Sequence, residues 1–291
     1  MSNIEISQAK RLDQYVVDSF GFVMSRSFAS RLIFEGKVTV NGVVVTKAGY
    51  KLRFADKVHV DFVLEDMPEP PEVELPVLYE DEDCVVIIKP LGMLSHSKGN
   101  YNDEATVGTW LRSHLSKDMD LSGNRAGIVH RLDRATSGVM ICAKTSTALS
   151  WLQKQFSQRR VKKTYLAIID GHLPNDEAVI EMPIERNPKA PATFRVGPNG
   201  KPSTTQYKVL SKSEHFSLIE LKPTTGRTHQ LRVHLKQLGH PIVGDPIYGG
   251  SPAERLYLHA AELELTLPKR ERSTFAAPLP LEFEQKMKND A

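Results

Sequence analysis

The segment best equipped for chemistry is GIVHRLDRATSGVM, residues 127–140, in which one aspartate lies between two arginines. Both ends of this segment are apolar and suited to a core, so the charges in its middle need a reason. If residues 129–133 are extended, Arg131 and Asp133 share one face and Leu132 points the other way, into the core. Neighbouring guanidinium groups favour the ionised carboxylate, which can act as a nucleophile or a base. An ordinary surface salt bridge is the alternative that this segment alone leaves open.

Two other segments offer partners for this aspartate. In TTGRTHQLRVHLKQLGH, residues 224–240, Arg227 lies on a loop end just before a helix, where functional groups often collect. We therefore predict that Arg227 contacts Asp133. In KKTYLAIIDG, residues 162–171, Tyr165 lies in a strand. It could be an ordinary half-buried aromatic, or in a nucleic-acid site its ring could stack on an extruded base.

Other familiar kinds of site are not indicated. The sequence has no Walker-type phosphate loop, no dinucleotide fingerprint and no G-x-S-x-G elbow. His229 and His234 are five residues apart, which does not match the H-E-x-x-H spacing of zinc enzymes. Cys84 and Cys142 lie in apolar runs, where a thiol behaves as a small core side chain. We expect no nucleotide cofactor and no metal.

The charge is unevenly divided along the 291 residues, a length typical of about two domains. The net charge is +3 over residues 1–62, −9 over 63–83 and +9 over 84–291. Two basic bodies joined by an acidic, Pro-rich segment suggest two domains that meet a polyanion, although a basic surface can also be an ordinary solvated face. The N-terminus lacks the apolar core of a signal peptide, and no apolar run reaches membrane-spanning length. We expect a cytoplasmic protein with no membrane contact.

Residues 9–62 predict a small basic module. Ser25 can cap a helix that ends at Gly36, and Asn41-Gly42 is a strong hairpin signal between two short strands. Such a module could bind phosphates without reading bases. The basic residues predicted to make these phosphate contacts are Arg26, Arg31 and Lys37.

The remainder of the chain predicts an α+β domain. From residue 79 onward, strand-like runs are joined mostly by short loops, with helices expected near 104–116, 145–158 and 228–239. Such an order favours a mixed or antiparallel sheet with helices packed against it. We therefore divide the chain into a module at 9–62, an acidic linker at 63–78 and a second domain at 79–291.

Several motifs carry a resemblance to known families. Residues 9–62, with RLDQYV and SRSFASRLIFEGKVTVNG, resemble the S-four RNA-binding domain. The second domain resembles the RluA-type pseudouridine synthases, on KPLGMLSH (89–96), HRLDRATSG (130–138), KKTYLAI (162–168), TTGRTHQLRVH (224–234) and HPIVGDPIYGG (240–250).

That resemblance implies an isomerase without cofactor or metal, which flips a uridine out of RNA, breaks its glycosidic bond and rejoins the ribose to carbon 5. Asp133 would be the essential carboxylate, as a nucleophile toward sugar or base or as a general base. Arg227 would orient Asp133, and Tyr165 would pack on the target base and assist removal of the carbon-5 proton. Arg131 would contact the RNA and help to keep the nucleotide extruded. His130 is assigned no chemistry, and the GDPIYGG turn is expected to be structural.

Three alternatives remain for the function and its RNA substrate. An S-four domain ahead of this catalytic domain resembles the branch that modifies large-subunit ribosomal RNA, which is our first expectation. Transfer RNA is the second. A binding or ribosome-assembly factor without activity is the third, although a binding module has no need of the carboxylate. We expect the protein to be a monomer.

Overall fold

The computed structural model describes residues 10–20, 24–63, 70–97, 104–119 and 125–290, and it divides into two compact units. The first unit runs to residue 73 and includes 96–113 and 120–126, and the second holds the rest. The sequence assigned 96–113 and 120–126 to the second domain. The boundaries 9–62, 63–78 and 79–291 remain a prediction.

The first unit pairs two helices with a small antiparallel sheet. The helices are α1 (Leu12–Ser19) and α2 (Arg26–Phe34), and the strands are β1 (Val38–Val40), β2 (Val43–Val44) and β3 (Val58–Val60), in the order β2-β1-β3. The Ser25 hydroxyl accepts a hydrogen bond from the Phe28 N–H at 3.1 Å and so begins α2. Asn41 and Gly42 both have positive φ, as the tight turn between β1 and β2 requires. Residues 96–113 of this unit contain the short helix α3 (Val107–Leu111).

A nine-stranded mixed sheet forms the second unit. Its strands are β4 (Val77–Glu80), β5 (Cys84–Lys89), β6 (Ser137–Ala143), β7 (Lys162–Asp170), β8 (Glu177–Glu181), β11 (Thr204–Lys212), β12 (Phe216–Pro223), β13 (Leu258–Thr266) and β14 (Arg272–Ala276). Their order is β4-β5-β6-β13-β7-β12-β11-β8, and β14 pairs with β13. The pair β6–β13 is parallel and the other pairs are antiparallel. A separate antiparallel pair consists of β9 (Ile184–Arg186) and β10 (Phe194–Val196).

Three helices cover this sheet: α4 (Ser146–Ser157), α5 (Gln230–Gln237) and α6 (Leu281–Lys288). One buried cluster joins α4 to β5, β6 and β13, and another joins α5 and α6 to β7 and β12. Every residue of β6 is buried, which explains why its sequence after Ser137, GVMICA, is continuously apolar rather than alternating. The α+β class predicted from the sequence is confirmed.

Residues 129–133 are not part of a strand, in contrast to the extended conformation considered from the sequence. Only Ile128 forms a bridge, to Cys142, and β6 begins at Ser137. The intervening residues form a loop whose backbone bonds to a side chain instead of a neighbouring strand. The alternation nevertheless holds, since Leu132 is buried and Arg131 is exposed. Among the described residues, no helix has the length and apolar character needed to cross a membrane.

Candidate active site

A cavity of about 130 Å³ in the second unit gathers the chemistry-bearing residues of that unit. Asp133, Tyr165, Arg227 and Arg131 all line it, although they come from segments far apart in sequence. Asp133 is the sole carboxylate among the lining residues. It shares the cavity with four cationic side chains, namely Arg131, Lys163, Arg227 and Arg232. The cavity therefore presents one anion in a strongly positive setting.

Hydrogen bonds from a preceding segment hold the backbone around Asp133. The Ser95 hydroxyl donates to the Leu132 carbonyl at 2.8 Å and accepts from the Leu132 N–H at 3.0 Å. The Asp133 carbonyl accepts from the Thr136 N–H at 3.0 Å. These bonds, together with the burial of Leu132, fix the direction in which the carboxylate leaves the chain.

A buried lysine at the end of β5 strengthens this support. The ammonium of Lys89 is completely buried and donates to the carbonyls of Pro90 and Met93, both at 2.8 Å, and of Arg134 at 3.4 Å. Burial lowers the pKa of Lys89 to about 8. Lys89 thus ties the loop that carries Asp133 to the loop after β5.

Arg232, rather than Arg227, pairs with Asp133. The Arg232 Nη1 lies 3.5 Å from the Asp133 Oδ2. Arg227 instead donates its Nε to the Pro202 carbonyl at 3.3 Å, and its N–H donates to the Gln230 Oε1 at 3.0 Å. The predicted contact between Arg227 and Asp133 is therefore corrected. Side chains of a helix lean toward its N-terminus, so Arg232 in the first turn of α5 reaches back to the cavity.

A second carboxylate fixes the guanidinium of Arg232. Asp245 is completely buried and accepts from the Arg232 Nε at 2.7 Å and Nη2 at 2.8 Å. Its Oδ1 also accepts from the N–H groups of Ile247 and Tyr248, at 3.0 and 3.1 Å. A bidentate pair of this kind sets both the position and the plane of the guanidinium. The GDPIYGG turn is structural, as expected, and it also aims Arg232 at Asp133.

His229 is the second side chain close to the carboxylate of Asp133. Its Nε2 lies 3.7 Å from the Asp133 Oδ2, and its Nδ1 lies 2.8 Å from the Tyr248 hydroxyl. That hydroxyl also accepts from the Phe194 N–H at 3.1 Å and can donate its own proton to Nδ1. In the tautomer that accepts this proton at Nδ1, Nε2 carries the ring proton and faces the carboxylate. Burial lowers the pKa of His229, so the imidazole is neutral at pH 7.

Tyr165 and Lys163 face the cavity from alternate positions of β7. Burial, and secondarily the charge of Asp133, raises the pKa of Tyr165, so its side chain is a neutral phenol at pH 7. This favours the ring as a contact surface for a base over a phenolate that removes a proton. Lys163 donates to the Thr225 carbonyl at 3.2 Å, and burial lowers its pKa to about 8.

His130 has the structural role expected of it. Its Nε2 accepts from the Ile141 N–H at 3.1 Å, and its ring stacks on Phe156 at 4.6 Å between centroids. Burial lowers its pKa to about 3, so the ring stays neutral.

The basic residues predicted in the first unit differ in their surroundings. Arg26 donates its Nε to the nearly buried Asp13 at 2.9 Å, so its charge also stabilises the fold. Arg31 lies over the Phe28 ring at 4.7 Å. Lys37 is exposed after the end of α2. Their contact with RNA remains a prediction, and the structure gives Arg26 an additional internal role.

Sequence reasoning missed five residues that shape the site: Ser95, Lys89, Lys163, His229 and Arg232. All five lie in the segments KPLGMLSH, KKTYLAI and TTGRTHQLRVH. Their signal was a charged or polar side chain next to apolar residues of a strand or helix, the same signal that identified Asp133.

Comparison with known proteins gives matches over both units. Residues 83–237 match the family model described as RNA pseudouridylate synthase, and residues 10–58 match the S4 domain. A relative from Chlorobaculum parvum, named an uncharacterized RNA pseudouridine synthase, is 37% identical and covers 96% of this chain and 94% of its own. A relative from Borreliella burgdorferi, named ribosomal large subunit pseudouridine synthase D, is 37% identical over 94% of this chain and 88% of its own. The solved structure of human RNA pseudouridylate synthase domain containing 1 superposes with a TM-score of 0.59 at 31% identity, over 72% of this chain and 86% of that one.

Proposed function

This chain belongs to the RNA pseudouridylate synthase family, and we propose that its substrate is large-subunit ribosomal RNA and that Asp133 is its catalytic carboxylate. The family assignment makes the protein an isomerase that acts on RNA. Two features support the ribosomal substrate: the S4 domain at residues 10–58, and the name of the Borreliella burgdorferi relative.

The reaction is an exchange of bonds within one nucleotide. The bond between ribose carbon 1′ and uracil nitrogen 1 breaks, and a bond between carbon 1′ and uracil carbon 5 forms. The proton on carbon 5 is lost and nitrogen 1 gains a proton, so no other reactant is consumed. The site must supply one carboxylate and must hold the free base while it turns.

One observation carries the assignment of Asp133: it is the sole carboxylate among the lining residues of the cavity, and Arg232 and His229 contact the same oxygen of it. A carboxylate contacted by a buried guanidinium is held in a fixed direction. Tyr165 provides a neutral ring against which the uracil can rest.

The exposed cations around the cavity have a different role in this proposal. Arg131 is exposed on the loop that carries Asp133, where it can contact the phosphates and fill the space that an extruded nucleotide leaves. Arg227, which does not contact Asp133, is assigned to the RNA backbone. Arg232 takes the orienting role first predicted for Arg227.

Mapping of pseudouridines tests the function and the substrate together. Ribosomal and transfer RNA are compared from cells with the gene, without it, and complemented with wild type or Asp133→Asn. We expect sites in large-subunit ribosomal RNA to vanish without the gene and to return with wild type only. Loss confined to transfer RNA would refute the ribosomal substrate. Full restoration by Asp133→Asn would refute the catalytic assignment.

A further inference from the structure

A second and larger cavity, of about 530 Å³, adjoins the catalytic cavity in the second unit. We call it the flanking cavity. It shares Arg131, Lys163, Tyr165 and Arg227 with the catalytic cavity, so the two form one continuous surface. Phe156 at the C-terminal end of α4 and Arg159, two residues after that helix, also line it. Nothing in the reaction of a single uridine requires this second space.

The lining of the flanking cavity has the chemistry of a nucleotide site. It has four cationic side chains and no acidic one, and it includes polar and apolar groups. Phe156, Val129 and Val161 provide an apolar wall, while Gln153, Ser157 and Thr224 provide hydrogen-bonding groups. Single-stranded nucleic acid is bound in this way, by aromatic contact with bases and cationic contact with phosphates.

Arg159 is the most informative residue of this lining. It has a φ of 58°, in the left-handed region that favours glycine. Its N–H donates to the Phe156 carbonyl and the Arg160 N–H donates to the Gln155 carbonyl, which is the bonding of a helix end where glycine is the usual residue. The backbone therefore disfavours arginine relative to glycine at this position.

The side chain of Arg159 is also available. It is exposed, and among the described residues no acidic group forms an ion pair with it or with Arg131. A residue kept in an unfavourable backbone conformation, with its charge directed to a cavity, is typical of a binding site.

We propose that the flanking cavity binds a nucleotide adjacent in the RNA strand to the target uridine, with Phe156 against its base and Arg159 and Arg131 on its phosphates. The assignment of RNA as the ligand rests on the proposed function. Because the two cavities share six lining residues, a nucleotide in the flanking cavity must be a close neighbour of the nucleotide in the catalytic cavity.

Photocross-linking tests this site directly. The full chain is mixed with a single-stranded uridine hexamer that carries one internal 4-thiouridine, irradiated, digested and analysed by mass spectrometry. We expect adducts within residues 153–163. Arg159→Gly should reduce their yield at least fivefold at subsaturating RNA. Arg160→Ala, which removes the same charge from the next residue outside the cavity lining, should change the yield less than twofold.

Two further variants keep the test independent of folding and of catalysis. Arg159→Gly should melt no lower than wild type, since glycine suits the backbone there. If Arg159→Gly melts lower than wild type, Phe156→Leu is used as the test variant instead. It keeps an apolar side chain of similar bulk and should still reduce the adduct yield about threefold. Asp133→Asn should cross-link as wild type does while making no pseudouridine. If wild type itself forms these adducts but makes no pseudouridine, the proposed function is refuted and the flanking cavity remains supported.

Three outcomes would overturn the proposal. The first is adducts confined to residues outside 153–163, and the second is an equal loss in Arg159→Gly and Arg160→Ala, which would indicate general charge attraction. The third is removal of the adducts by a tenfold excess of uridine 5′-monophosphate, which would make the cavity a site for free nucleotides instead of a strand. Retention of the adducts under that excess supports the strand.

Discussion

Arg232→Lys is the substitution that most sharply probes how the carboxylate of Asp133 is oriented. The guanidinium of Arg232 binds Asp245 through two nitrogens and presents its third to Asp133 at 3.5 Å. A lysine ammonium is a single point of charge and cannot serve both carboxylates in this geometry. Because Asp245 is completely buried and needs its counter-charge, the ammonium should stay there and leave Asp133 without its partner.

The expected size of the effect follows from the distance. Two unit charges 3.5 Å apart attract by about 5 kcal/mol at an effective dielectric constant of about 20. The Asp133 side chain is 21% exposed, so solvent reduces this to about 2–3 kcal/mol. If that attraction orients the carboxylate, its loss should slow the single-turnover rate about 30- to 160-fold. The RNA concentration for half-maximal rate should change little, because Arg232 is 5% exposed and lies below the RNA-facing surface.

Arg227→Lys is the matched control. It makes the same chemical change in the same cavity at a residue that does not contact Asp133. We expect it to raise the half-saturating RNA concentration severalfold and to slow the saturated rate less than fivefold. If Arg227→Lys slows the saturated rate as much as Arg232→Lys does, the assignment of the orienting role to Arg232 is refuted.

Three other predictions concern stability. Lys163→Met should raise the free energy of unfolding at pH 7, and this gain should shrink as pH rises from about 8 toward about 10.5. Burial holds the pKa of Lys163 in the folded state at about 8. Between those pH values the unfolded wild-type chain keeps a proton that the folded chain has lost, so wild-type stability rises with pH. Denaturant titrations at several pH values test this, and a constant gain would contradict it. Gly138→Ala should lower the free energy of unfolding by about 3 kcal/mol or more, because a Cβ there would lie 2.1 Å from a carbonyl oxygen of β13 and the φ of 121° disfavours any side chain. A loss under about 1 kcal/mol would contradict the geometry. Arg26→Met should lower the melting temperature more than Lys37→Met does, because Arg26 pairs with the nearly buried Asp13; equal melting temperatures would remove that internal role.

The sequence predicted the strands and helices that carry strong periodicity or composition. The apolar run of β6 and the hairpin at Asn41-Gly42 are local signals, and the structure has both elements. The edge strands and the pair β9–β10 went unpredicted, because short strands of mixed polarity depend on their neighbours for stability. Residues 129–133 resemble a strand in sequence because Leu132 alternates with its polar neighbours, but they belong to a loop. What distinguishes it is a side-chain partner, Ser95, that lies 37 positions away.

The candidate site was predictable in its residues but not in its pairing. Asp133, Tyr165 and Arg227 line one cavity, as the motifs suggested. Which arginine pairs with Asp133 depends on the direction of each arginine side chain near the start of α5. Sequence spacing alone does not show which of two arginines five positions apart points toward Asp133. The choice is made by Asp245, which lies on a later turn and fixes Arg232.

The most direct test of the catalytic assignment is the release of tritium from RNA labelled at uracil carbon 5, with wild type and Asp133→Asn compared in single turnover at saturating RNA. Isomerisation must expel that hydrogen, so its release reports bond formation at carbon 5. Asparagine keeps the size of the side chain and removes its charge. We predict that wild type releases tritium and that Asp133→Asn binds the RNA yet releases tritium at least about 1,000-fold more slowly. A rate within tenfold of wild type would contradict the account.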